Sequence, residues 1–200
     1  MTRFLLTQSL LASWLRMYCT PDPDQAQKDF VRVLKRQPTR PNRSMLDGIQ
    51  FENMVSACAA GVDPPEKHKW SGAVREMAGI LAGAPFQIPA YADKEISGLR
   101  FLLYGRIDTL KAGTIYDIKF SRAYQPGHFL NSPQHPMYFE LVPEAQAFEY
   151  LVFTGSDICR EQYSPADTPP IDEAIKQFVA YLETAKLEDI YIKHWKAREN

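Results

Sequence analysis

A chain of 200 residues with 45% hydrophobic and 24% charged residues has the makeup of one folded domain with a real core, which excludes wholesale disorder and fibrous repeats. The formal net charge of −1 hides an asymmetry: residues 1–43 carry eight Lys and Arg against three Asp, and residues 140–189 carry eleven acidic residues against three basic ones. A polyanion would meet the N-terminal part, although one-signed solvated helix faces give the same split. No apolar run reaches the roughly 18 residues of a membrane-spanning helix. The opening MTRFLLTQSLLASWLRMY is broken by Thr7, Gln8, Ser9, Ser13 and Arg16, so it reads as a helix of the mature protein, with no membrane contact and a cytoplasmic location expected. Cys19, Cys58 and Cys159 are too few and scattered for a disulfide framework or a four-thiolate metal site, and read as buried thiols.

In chain order, Leu10, Leu11, Trp14, Leu15 and Tyr18 recur at helical spacing over residues 7–18, and Pro21 and Pro23 end that helix. Asp24 is the expected N-cap of a second helix through about Gln37, with Lys28, Arg32, Lys35 and Arg36 along one broad side. A third helix is expected from Met45 to Ala60, stopped by Gly61, and a fourth from Glu66 to Leu81, ended by Gly83-Ala84-Pro85. The period then changes. Phe86–Tyr91, Lys94–Ile96, Leu99–Thr109 and Thr114–Phe120 are short β-branched or aromatic runs between Gly and Asp turns, the pattern of an antiparallel meander. A helix over residues 131–142, a hairpin of Phe148–Thr154 with Ile158–Tyr163, a helix from Ile171 to Ala185 and a short tail helix ending near Trp195 complete the reading.

Chemistry concentrates in Tyr104-Gly-Arg-Ile-Asp108-Thr-Leu-Lys-Ala-Gly-Thr-Ile-Tyr-Asp117-Ile-Lys119-Phe, two apolar strands around Lys111-Ala112-Gly113. Strand side chains alternate, so Asp117 and Lys119 share a face and a hairpin partner brings Asp108 near them. Two carboxylates and an ammonium can hold a divalent cation on hard oxygen ligands, with Lys119 orienting or helping to deprotonate a water, an arrangement suited to phosphodiester hydrolysis. The plain alternative is an exposed hairpin with a surface ion pair worth at most about 1 kcal/mol.

Gly105-Arg106-Ile107-Asp108, nine residues before Asp117-Ile118-Lys119, resembles the central signature of the PD-(D/E)XK nucleases, in the RecB-like branch that includes many phage and CRISPR-associated exonucleases. Gly48-Ile49-Gln50-Phe51-Glu52 is similar to that branch's upstream helix, and Gln134-His135-Pro136-Met137-Tyr138 to its downstream Gln-x-x-x-Tyr helix. A second Gln-x-x-x-Tyr, Gln146 to Tyr150, falls in an expected strand, where residues i and i+4 lie about 13 Å apart rather than on one face.

The resemblance implies a single nuclease domain over residues 1–200, helical in 1–85, with the catalytic sheet in 86–163 and helices in 164–200. Its fold would be α/β and restriction-endonuclease-like, a mixed, mainly antiparallel sheet flanked by helices. It implies a Mg²⁺- or Mn²⁺-dependent DNA exonuclease with one or two ions, serving phage or prophage recombination or repair. Asp108, Asp117, Glu52 and the Ile118 carbonyl would hold metal, Lys119 would position the water, and Gln134 and Tyr138 would bond near Lys119 and support DNA, packing being Tyr138's alternative role. DNA phosphates would track along Lys28, Arg32, Lys35, Arg36, Arg40 and Arg43, with Arg106 and Arg122 near the scissile phosphate, although Arg106 serves equally to neutralise the acids. Only Cys19 and Cys159 occupy regions comparable to the cluster ligands of some relatives, so no iron–sulfur cluster is expected. An inactive nucleic-acid- or partner-binding module and a dimeric endonuclease are the competing readings.

Overall fold

Apolar alternation sets the strands and glycine turns set their register. The computed structural model describes residues 2–197, in the order β1 (Arg3–Thr7), α1 (Gln8–Leu15), a 3-10 turn at Arg16–Tyr18, α2 (Pro23–Leu34), α3 (Arg43–Ala59), α4 (Ser71–Leu81), β2 (Phe86–Ile96), β3 (Leu99–Lys111), β4 (Thr114–Phe120), α5 (Gln134–Leu141), β5 (Ala147–Phe153), β6 (Ile158–Tyr163), α6 (Ile171–Thr184) and α7 (Glu188–His194). The fold is α/β, a mixed six-stranded sheet flanked by helices, with β1–β3 and β4–β5 parallel and the other pairings antiparallel.

Two tight turns fix the centre of the sheet. Ser97 and Gly98 sit at φ 53° and 75°, and Ala112 and Gly113 at 48° and 79°, the positive φ at both central positions that a type I′ hairpin needs. The first turn sets Ile96 opposite Leu99 and so Tyr91 opposite Tyr104, and the second sets Lys111 opposite Thr114. β2 occupies one edge of β3 along nearly its whole length, from Leu99 to Thr109. On the other edge β1 pairs with Arg100–Tyr104 and β4 only with Thr109–Lys111. Gly105, Arg106, Ile107 and Asp108 are thus left without a strand beside them on that edge.

Two apolar layers cover the sheet. One joins α1, α2, α5, α6 and α7 to Phe101, Leu103, Ile107, Ile115, Phe148 and Val152. The other packs Phe51, Val55, Trp70, Val74, Met77 and Leu81 of the α3–α4 side against Ile118, Leu151 and Phe153.

The opening segment corrects the sequence reading, since Arg3–Thr7 is a strand with Phe4 and Leu6 buried. Its helix begins only where Thr7 accepts a hydrogen bond from the Leu10 N–H at 3.2 Å; five residues are too few for the alternation to outweigh the helical period that follows. Asp22, not Asp24, caps the second helix by accepting from the Gln25 N–H at 3.0 Å, and that helix ends at Leu34 rather than near Gln37. The fourth helix starts at Ser71 instead of Glu66. The Ser71 hydroxyl donates to the Pro65 and His68 carbonyls at 2.6 and 2.8 Å, folding that stretch into turns. Cys19 is exposed and Cys58 and Cys159 are half-buried, all free, so none is the fully buried thiol expected.

Candidate active site

The unpaired window of β3 coincides with the Gly-x-x-Asp stretch, and Gly105, Arg106 and Asp108 each meet a group that takes the place of the missing strand. Continued by one pair, the β3–β4 register would set Asp108 against Asp117; the ladder instead stops at Thr109–Tyr116. Ile118 N–H, freed where the strands part, donates to Asp108 Oδ2 at 2.9 Å, so a side chain satisfies a backbone group that the ladder no longer serves. Helix α5 closes the remaining space. Tyr138, 3% exposed, lies over Gly105 and donates its hydroxyl to the Arg106 carbonyl at 2.9 Å. A Cβ on Gly105 would stand 2.4 Å from Tyr138 Cε1 and 2.6 Å from Leu141 Cδ1, so only glycine admits the helix this close.

Around Asp108 the predicted residues converge. Lys119 forms an ion pair with Asp117 Oδ2, as side chains two apart on one strand allow. Gln134, the first residue of α5, donates through Nε2 to Asp117 Oδ1. Glu52, on the face of α3 turned to the sheet, is joined to Asp108 through Gln87, whose Nε2 lies 2.7 Å from Glu52 Oε1 and 3.4 Å from Asp108 Oδ1. Gln87 faces Asp108 across β2–β3 and holds a φ of 56°. That left-handed conformation costs a non-glycine residue of order 1 kcal/mol and marks a place where strain is kept.

Electrostatically the cluster carries more negative charge than its surroundings neutralise. Burial, then Asp117 and Glu52, push the Asp108 carboxyl well above the usual range, and burial followed by Asp117 also raises Glu52. For Lys119 burial opposes the charged form, but Asp117, Asp108 and Glu52 outweigh it and hold the ammonium above its ordinary pKa. It stays protonated, which suits orienting a water or a phosphate rather than taking a proton.

Carboxylate oxygens are the donor type that a hard divalent cation takes. Glu52, Asp108 and Asp117 gather at the window, although among the described residues no three such side chains are spaced to hold an ion together; burial and mutual repulsion raise the pKa of Glu52 and Asp108, and Lys119 pairs with Asp117 Oδ2. Asp108, Asp117 and Glu52 are the residues that would hold such an ion. At Ile118 the structure gives a role to the N–H, which fixes Asp108.

No family model matches the chain, and no curated protein is significantly similar to it. Among solved structures it is similar to the crystal structure of SSO0001, with a TM-score of 0.55 and 14% identity, over 92% of this chain and 76% of that one. A likeness at that identity concerns the α/β architecture alone.

The basic residues divide. Arg106 is exposed and, among the described residues, has no ion-pair partner; its charge is near enough to oppose the rise in Glu52. Arg43 and Arg122 both reach the buried Asp47, at 3.2 and 3.3 Å, and Arg122 lies over the Phe120 ring at 4.7 Å. On α2 Arg32 pairs with Asp29 at 3.3 Å, and just beyond it Arg36 covers the Trp195 ring at 4.2 Å. Lys28, Lys35 and Arg40 are exposed. Tyr138 is buried and bonds the Arg106 carbonyl, and its hydroxyl is also within reach of the Gln134 side chain beside Asp117.

Two residues escaped the sequence reading. Gln87 sat in a strand read only as apolar, yet counting back from the Ser97-Gly98 turn places it opposite Asp108. Glu161 of β6 accepts from Tyr124 Oη at 2.8 Å, Gly127 N–H at 3.1 Å, Phe129 N–H at 3.0 Å and Tyr163 Oη. It thereby pins the connector between Lys119 and Gln134, a long-range role that no local pattern announces.

Proposed function

We propose that the protein is a metal-dependent deoxyribonuclease of the PD-(D/E)XK type, acting as an exonuclease in phage or prophage recombination or repair. The observation that carries the reading is the gathering of Glu52, Asp108, Asp117 and Lys119, from a helix and two strands, at the unpaired window of β3. Mg²⁺ or Mn²⁺ bound there supplies Lewis-acid polarisation of the phosphodiester and activation of water. The chain's own groups have separate tasks. Lys119 orients the attacking water and offers positive charge to the phosphate, Gln134 fixes Asp117, the Ile118 N–H fixes Asp108, and Arg106 is free to bind a neighbouring phosphate.

The test is cleavage of end-labelled linear and of circular DNA, single- and double-stranded, with Mg²⁺, Mn²⁺ or EDTA. The reading expects metal-dependent loss of linear DNA with circles spared, and a fall of about 100-fold or more in Lys119→Ala. Cut circles would make it an endonuclease.

An inactive nucleic-acid-binding module has one observation in its favour: among the described residues no three His, Cys, Asp or Glu are spaced to hold an ion together. Mn²⁺ titration separates the two. Tight binding lost in Asp108→Ala supports the nuclease, and DNA binding with neither Mn²⁺ binding nor cleavage supports the module.

A further inference from the structure

Helices α3 and α4 cover only part of their side of the sheet, packing on Tyr116, Ile118, Phe120, Leu151 and Phe153. On the β2–β3 half, Ile88, Ala90, Ala92, Leu103 and Ile107 all turn to the opposite layer. Alternation therefore sends Pro89, Tyr91, Tyr104 and Arg106 to the uncovered side. Tyr91 is 59% exposed, unusual for a large aromatic in the middle of an eleven-residue strand. It faces Tyr104 across the ladder, with ring centroids 4.9 Å apart and planes inclined by 31°. The next pair along is Pro89 with Arg106, and beyond it Gln87 stands opposite Asp108. At about 3.3 Å per residue, Tyr104 lies some 13 Å from Asp108 along the strand, with the unpaired Arg106 between them.

We propose that Tyr91 and Tyr104 form a stacking platform for the unpaired bases of a single DNA strand whose backbone passes Arg106 on its way to the carboxylate cluster. The exposed Tyr91 ring, with the half-buried Tyr104 ring beside it, offers π-faces that any base can use, and one guanidinium without an ion-pair partner among the described residues offers a fork for the intervening phosphate. Paired bases present no such faces, so the platform selects a single strand over a duplex. Farther along the same surface Asp93 is held by Arg3 at 2.8 Å, and the exposed Glu95 stands opposite Arg100 across the ladder. The placement of the scissile phosphate rests on the nuclease reading, whereas the platform itself is tested without cleavage.

The experiment is fluorescence anisotropy of a labelled oligothymidine, and of a hairpin duplex of the same length, with the full chain in EDTA. Tyr91→Ala and Tyr104→Ala are each expected to weaken oligothymidine binding by about tenfold and to leave the hairpin unaffected. Tyr91→Phe, which keeps the ring, is expected to bind as the wild type does. Because Tyr91 is mostly exposed, its alanine variant keeps the core intact, and an unchanged circular dichroism melt checks this. Wild-type affinity in Tyr91→Ala, an equal loss for the hairpin, or no oligothymidine binding by the wild type overturns the proposal. A wild type inert in every metal would sink the nuclease reading and leave this measurement standing, whereas a failed platform leaves cleavage untouched.

Discussion

Replacing Gly105 by alanine adds one methyl group beneath helix α5, where no space is left for it. That Cβ would meet Tyr138 Cε1 at 2.4 Å, Leu141 Cδ1 at 2.6 Å and Tyr138 Cδ1 at 3.1 Å. Leu141 can turn its terminal methyl away. Tyr138 cannot, because its ring is buried and planar and its hydroxyl is held on the Arg106 carbonyl at 2.9 Å. Relief requires α5 to back off the sheet, and overpacking of this kind costs about 1–3 kcal/mol. For a chain of this length that corresponds to a fall in Tm of roughly 2–12 °C, measured by calorimetry in EDTA. Since α5 begins at Gln134, which holds Asp117, its retreat should also lower metal-dependent cleavage. Repeating the substitution in a Tyr138→Ala background should remove most of the added loss, the signature of two residues in direct contact. A Gly105→Ala protein melting with the wild type, or a penalty unchanged in the Tyr138→Ala background, would refute the argument.

Three further outcomes follow from the site. At Gln87, whose φ is 56°, glycine should be more stable than alanine by about 1 kcal/mol in urea unfolding, because both lose the two amide contacts but only glycine takes the conformation freely. The Asp108 carboxyl is raised in the folded protein by burial, then Asp117 and Glu52, so the folded state loses stability as pH rises above the unfolded value near 4. Metal-free Asp108→Asn should therefore melt above the wild type at neutral pH and lose that advantage near pH 4. Saturating Mn²⁺ should reverse the order, since a ligand at 100 times its Kd adds about 2.7 kcal/mol to the protein that binds it. His135, 1% exposed and stacked on Tyr163, has its pKa lowered to about 4 by burial. Its contribution is present above pH 6.5 and is lost on acidification, so at pH 5 the wild type should have lost about 2 kcal/mol relative to His135→Phe, as read from urea midpoints at pH 5 and 7.5.

Local signals carried much of this arrangement. The change from helical to strand period at Phe86, the glycine turns, and the separation of Asp108 from Asp117 by one hairpin place β3, β4 and two of the carboxylates from residue order alone, whereas the two runs Phe86–Tyr91 and Lys94–Ile96 prove to be one strand. The choice of Gln134 over Gln146 also rests on period, and Gln146 and Tyr150 do lie at the edge of β5 and within it. What escaped is what depends on distant pairing. β1 is a strand only because β3, almost a hundred residues later, receives it, and its five residues look helical beside the segment that follows. The window in β3 exists because β1 and β4 divide one edge between them, which no spacing reveals. Gln87 needed the register of both turns, and Glu161 needed the connector's path, before either could be tied to the site.

The first strand has a partner on each side. Beyond β3, the Leu5 N–H donates to the Trp195 carbonyl at 2.6 Å, the Ala197 N–H donates to the Arg3 carbonyl at 2.8 Å, and Phe4 bridges to Lys196. During synthesis, Arg3–Thr7 emerges before both of its partners and must wait, first for β3 and then for residues 195–197, before its backbone is satisfied on both edges. The stretch from Glu52 to Tyr138 emerges in between. The nascent chain thus presents every carboxylate of the cluster while one margin of the sheet is still open, and the arrival of residues 195–197 covers that margin against pairing with a neighbouring chain.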